Sequence, residues 1–97
     1  ERLRLPSYVA YPAHAVNWAP QLGNPSLREG KALFTRTVVG GVDQRGPIVA
    51  GKPEEIRAEV HAAIAEASRV GFIVGAGCTV PSDVPIANLI IAREAAV

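Results

Sequence analysis

Between two short apolar runs lies a well-marked amphipathic helix. Ile56, Val60, Ile64 and Ala67 recur at spacings of four, four and three, which puts them in one stripe on a helical surface. Pro53 suits a first helical position, and Glu54 and Glu55 favour the positive helix end. Arg57, Glu59, His61 and Glu66 fall largely off the stripe. Arg69 suits the negative end and Gly71 stops the pattern, predicting a helix over 53–69. On either side stand Thr-Arg-Thr-Val-Val-Gly-Gly-Val (35–42) and Gly-Phe-Ile-Val-Gly-Ala (71–76). Neither alternates polar with apolar residues, as expected of strands buried on both faces in a parallel sheet.

The same rhythm extends outward. Ala-His-Ala-Val-Asn-Trp (13–18) is a compact strand candidate, although its two alanines weaken it. Ser26 with Glu29 three residues on forms a capping box, opening a helix over 26–34. A last helix is expected over 85–96, from Pro85 through Leu89, Ile90 and the alanines. Its apolar residues nearly encircle it, which asks for neighbours on more than one side. Strand and helix alternating three times is the pattern of βαβ units, with right-handed crossovers that place the helices outside the strands. The fold class expected is therefore α/β. Three such units fall short of the eight strands and roughly 250 residues of a closed (β/α)8 barrel. A three-stranded sheet would leave one face and both edges raw. The partners expected to cover it are the remaining segments of a larger barrel or other copies of this chain.

Composition narrows the function classes. A net charge of +1, with ten basic residues interspersed among nine acidic ones, gives no field for nucleic acid or anionic lipid. Five per cent aromatics, scattered along the chain, make no base-stacking surface. No apolar run approaches the roughly 20 residues of a membrane span. Glu1-Arg2-Leu3-Arg4-Leu5-Pro6 lacks the apolar core of a secretory leader. One cysteine makes no internal disulfide, which suggests an intracellular, cytoplasmic setting. The absence of methionine from the 97 residues suits a piece of something longer.

Four stretches carry a resemblance. Gly71-Phe72-Ile73-Val74-Gly75-Ala76-Gly77-Cys78-Thr79-Val80-Pro81-Ser82-Asp83-Val84-Pro85 is similar to the last strand and following loop of uroporphyrinogen decarboxylase-like proteins. In that family a glycine-flanked residue precedes Pro-Asp-Thr-Pro and a helix. Gly40-Gly41-Val42-Asp43 resembles the family's Gly-Asn-Leu-Asp after the seventh strand. Ala15-Val16-Asn17-Trp18 resembles Gly-Leu-Asp-Trp after the sixth, and Lys52-Pro53-Glu54-Glu55-Ile56-Arg57 resembles Thr-Pro-Glu-Glu-Val-Arg at a helix start. The resemblance implies a TIM barrel of which residues 1–97 are the C-terminal three βα units, incomplete alone. It also implies a small-molecule pocket at the C-terminal strand ends, and a decarboxylase acting without a cofactor on a tetrapyrrole or related polycarboxylate. Ala76 departs from the family pattern, which has histidine there. A second branch, the corrinoid- and methylthiol-linked methyltransferases, ends the last strand with Gly-Cys. Its cysteine is the third ligand of a zinc ion, the other two coming from an upstream His-x-Cys. By that likeness Cys78 is a candidate zinc ligand in a methyltransferase, though no His-x-Cys occurs in this chain. A third expectation is a chain that is not catalytic by itself.

Each candidate has a plain structural alternative. Asn17 and Trp18, ending the first strand, are placed to line a pocket mouth, with packing the alternative for the indole. Asp43 follows Gly40-Gly41, where a carboxylate either meets substrate or caps its own turn. Gly75, Ala76 and Gly77 fall at the rim for substrate binding, or the glycines serve a tight turn alone. They lack the context of a dinucleotide fingerprint. Cys78 is either a metal ligand or a small residue in a Gly-Cys-Thr turn. His14 reads as a residue within the first strand, His61 as solvated, and Arg45 as a loop arginine.

Overall fold

The computed structural model describes residues 8–10, 12–20 and 23–97. The six residues read for a leader lie outside the described residues. Three strands, β1 (Ala15–Asn17), β2 (Thr37–Val42) and β3 (Phe72–Ala76), form one parallel sheet in sequential order. Val16, Val38 and Phe72 stand in one row across it, and Asn17, Val39 and Ile73 in the next. Helix α1 (Leu27–Phe34) connects β1 to β2. Helices α2 (Pro47–Ala50) and α3 (Pro53–Ala67) connect β2 to β3, and α4 (Ile86–Ala95) follows. This is a small α/β domain with a three-stranded parallel sheet.

Local chemistry sets most of these bounds. Ser26 Oγ accepts from the Glu29 N–H at 3.1 Å, while the Glu29 carboxylate accepts from the Ser26 N–H at 2.9 Å, so both halves of the capping box form. The Ser26 backbone N–H first, and its side-chain hydroxyl second, hold the Glu29 carboxyl below its ordinary value. Thr35, expected to open a strand, instead caps α1 in the left-handed conformation (φ 51°) with its N–H on the Lys31 carbonyl, so β2 starts at Thr37. Helix α3 ends at Ala67 rather than at Arg69 because Ser68 leaves the helical region (φ 68°, ψ 174°). The Lys31 ammonium holds that turn, donating to the carbonyls of Ala67 and Val70 and, at 3.0 Å, to Ser68 Oγ. His14 precedes β1 rather than lying within it, and is exposed. The four-residue α2 has no signal in the sequence, since one turn carries no period to read.

The core divides into two clusters on the helix side of the sheet. Trp18, Leu27, Phe34, Val38, Ala63 and Ala67 form one; Val42, Ile48, Ile56, Val60, Val84, Ala92 and Ala95 form the other. The opposite face, with Asn17, Val39 and Ile73, belongs to neither cluster, and Ile73 is 53 % exposed. On α4 the inward Ala92 and Ala95 are buried, whereas Ile86, Leu89 and Ile90 are exposed. Among the described residues no helix is long and apolar enough to cross a membrane.

Candidate functional site

Parallel strands in sequential order bring all three C-terminal ends to one side, where Asn17, Asp43 and the Gly75–Gly77 turn make a common rim. Asn17 binds it together. Its Nδ2 donates to the Val39 carbonyl at 2.7 Å and to the Ala76 carbonyl at 3.0 Å, reaching from β1 to the end of β3. The side chain is nonetheless exposed. At the end of β2, Asp43 Oδ1 accepts from the Arg45 N–H at 3.0 Å, and its carbonyl from the Gly46 N–H at 2.9 Å. This is the turn-capping role open to an Asp here. Among the described residues its second oxygen takes no partner.

Two expected contributors are placed differently. Trp18, expected at the pocket mouth, is 3 % exposed in the core. Its Nε1–H donates to the Pro25 carbonyl at 2.8 Å, and its ring lies 6.0 Å from that of Phe34. It turns inward because α1 offers Gly30 as a seat: a Cβ there would stand 2.1 Å from the indole. The side chain of Ala76 shares the helix side with Val42, its partner in the register, and lines an apolar cavity of about 450 Å³ with Ile48, Val74, Leu89 and Arg93. What Ala76 offers the rim is its carbonyl, already taken by Asn17.

The two glycines serve close approach between protein groups. A Cβ at Gly75 would meet Val39 at 2.9 Å, and one at Gly77 would meet the Ala19 backbone at 2.9 Å. Gln44, which the sequence did not single out, reaches the same neighbourhood. Its Oε1 is buried without a partner among the described residues and lies 3.5 Å from the position of a Cβ on Gly77. Cys78 is exposed in the loop leaving β3. Among the described residues no three His, Cys, Asp or Glu side chains are grouped to hold a metal ion. A tetrahedral zinc needs three or four such donors, so the residues described here do not make a zinc centre.

Glu59 is the other residue that sequence reading missed. Off the apolar stripe of α3, it is nonetheless half-buried behind the rim, and its Oε2 accepts from the Asp43 N–H at 3.1 Å. Burial pushes its carboxyl above the ordinary value; the Asp43 N–H opposes this and the Asp43 carboxylate adds to it.

Three βα units, with Asn17 and Asp43 at the C-terminal strand ends, define a small α/β domain built on a parallel sheet. The chain belongs to the uroporphyrinogen decarboxylase (URO-D) family, whose sequence pattern matches residues 8–96. Among curated proteins none matches the chain.

Proposed function

We propose that this chain forms the last three βα units of a URO-D-type (β/α)8 barrel. Its strand-end rim is then one wall of a pocket where a tetrapyrrole or related polycarboxylate loses carbon dioxide without a cofactor. The observation that carries this reading is the rim itself. Three parallel strands end together beneath an exposed Asn17 and a carboxylate, Asp43, with an oxygen to spare. The sheet face that belongs to neither core cluster becomes the barrel interior on this reading, and Ile73 and Val39 are covered by strands from the rest of the barrel. In such a decarboxylation a protonated pyrrole ring takes up the electron pair of the breaking carbon–carboxylate bond. Asn17 and Asp43 suit pyrrole N–H groups, because both present acceptor oxygens.

A zinc methyltransferase is the second reading, favoured by the exposed Cys78 thiol beside the rim. It requires further ligands from outside the described residues. The test uses the protein as encoded, with whatever accompanies residues 1–97. Uroporphyrinogen is supplied without oxygen and the products are separated by carboxylate number, while zinc per chain is measured with and without Cys78→Ala. Loss of carboxylates by a protein free of zinc supports the decarboxylase. About one zinc per chain, lost in the variant, with no carboxylate loss, transfers the assignment to the methyltransferase.

A further inference from the structure

The contact between Glu59 and Asp43 depends on how closely α3 settles onto β2. Gly41 has φ 102°, and a Cβ built on it would stand 2.5 Å from the Ala63 methyl. No side chain fits there, so the glycine lets the helix come down onto the strand. Glu59 precedes Ala63 by four residues and so shares its helical face. The seating of Ala63 over Gly41 therefore delivers the Glu59 carboxylate to the end of β2. There it takes the Asp43 N–H, and the turn through Arg45 and Gly46 hangs from the same residue.

We propose that Glu59 is the positioning residue of the rim, fixing the Asp43 backbone from behind and so setting where the Asp43 carboxylate stands toward substrate. The role rests on the reading of the rim as a tetrapyrrole pocket. Glu59 itself lines a separate groove on the helix side and acts through the Asp43 backbone. Among the described residues the other charged groups on that groove are Glu29 of α1 and Glu66 of α3. Glu29 is engaged by Ser26, and Glu66 Oε1 accepts from the Arg28 N–H at 3.1 Å. Asp43 is thus the carboxylate that acts on Glu59 at close range, and its N–H is the donor that Glu59 holds.

The test follows the Asp43 amide by NMR in ¹⁵N-labelled protein, across pH, for wild type, Glu59→Gln and Glu59→Ala. Uroporphyrin affinity is measured by fluorescence on the same three proteins. In wild type the Asp43 amide shift follows a titration with a midpoint above the ordinary glutamate value, and Glu59→Gln abolishes it. Glu59→Ala exchanges the Asp43 amide about tenfold faster or more, the loss expected for a hydrogen bond to a charged group. Glu59→Gln, which keeps an acceptor oxygen, retains most of the protection. Uroporphyrin binds Glu59→Ala about tenfold more weakly and Glu59→Gln almost as wild type does. An Asp43 amide equally protected in Glu59→Ala and wild type overturns the contact. A perturbed amide with unchanged uroporphyrin affinity overturns the positioning role. Absence of binding by wild type, with the amide effect intact, overturns the tetrapyrrole reading of the rim and the positioning role built on it, while leaving the contact.

Discussion

Gly30→Ala sets two effects of known size against each other. Gly30 lies inside α1, where glycine costs a helix about 1 kcal/mol relative to alanine. Propensity alone therefore predicts a gain. The added Cβ, however, lands 2.1 Å from both Cη2 and Cζ2 of Trp18. The indole has little room to retreat: it is 3 % exposed, donates to the Pro25 carbonyl at 2.8 Å and packs against Phe34. Overpacking a fitted core costs about 1–3 kcal/mol. Orphaning the Nε1–H, should the ring swing aside, costs about as much again. The clash wins, and Gly30→Ala destabilises by about 1–3 kcal/mol. In a Trp18→Phe background the two clashing atoms are absent, and the same substitution becomes stabilising by up to about 1 kcal/mol. Urea unfolding followed by far-ultraviolet circular dichroism, with equal slopes across the cycle, reads both values. The emission of Trp18, the chain's single tryptophan, reports the local disturbance. A neutral or stabilising Gly30→Ala in the Trp18 background would refute the claim that the indole's seat dictates the glycine.

Four other outcomes are expected. Lys31→Met strips the Ala67 and Val70 carbonyls and Ser68 of their ammonium and costs about 1–3 kcal/mol in the same unfolding assay. Ser26→Ala removes the α1 cap and costs about 0.5–2 kcal/mol. Glu29 and Glu59 give pH dependences of opposite sign. Glu29, held low when folded, contributes stability that is present above its unfolded value and lost as pH falls through the folded one. Glu59, raised when folded, contributes stability present below its unfolded value and lost as pH rises through the folded one. Unfolding profiles of Glu29→Gln and Glu59→Gln against wild type therefore diverge in opposite directions; parallel profiles would contradict the assignment. Finally, Cys78 in the folded protein reacts readily with a thiol reagent, and Cys78→Ala changes stability by less than about 0.5 kcal/mol.

What was legible in the sequence had a period or a local chemical signature. The stripe of Ile56, Val60 and Ala67 announced α3, and Ser26 with Glu29 announced the start of α1. The β-branched run before Gly40 announced β2. What stayed hidden depended on partners distant along the chain. Ser68 ends α3 in a turn held by Lys31, 37 residues earlier, and nothing local to Ser68 hints at that lysine. Trp18 turns inward because of the seat at Gly30, a packing fact with no sequence period. Glu59 gave no sign of a role because its position on the helical wheel is off the apolar stripe. The approach of α3 at Gly41, a tertiary property, brings it behind the rim. Of the rim, the strand-end location of Asn17 and Asp43 was readable. Their present bonding was not, since it requires the register of three strands at once.

An amide has two hydrogens, and Asn17 spends both on carbonyls of its own protein. That fixes the orientation of the side chain without ambiguity, since exchanging its nitrogen and oxygen would set an acceptor against two acceptors. The remaining valence is chemically one-sided. A molecule arriving at this part of the rim meets an oxygen that receives and no nitrogen free to give. It is greeted there if it carries N–H or O–H groups, and gains nothing there from its carboxylates. Aspartate at this position would surrender the brace, turning a carboxylate toward two carbonyl oxygens, so the same atoms that tie the strand ends together also filter what rests upon them.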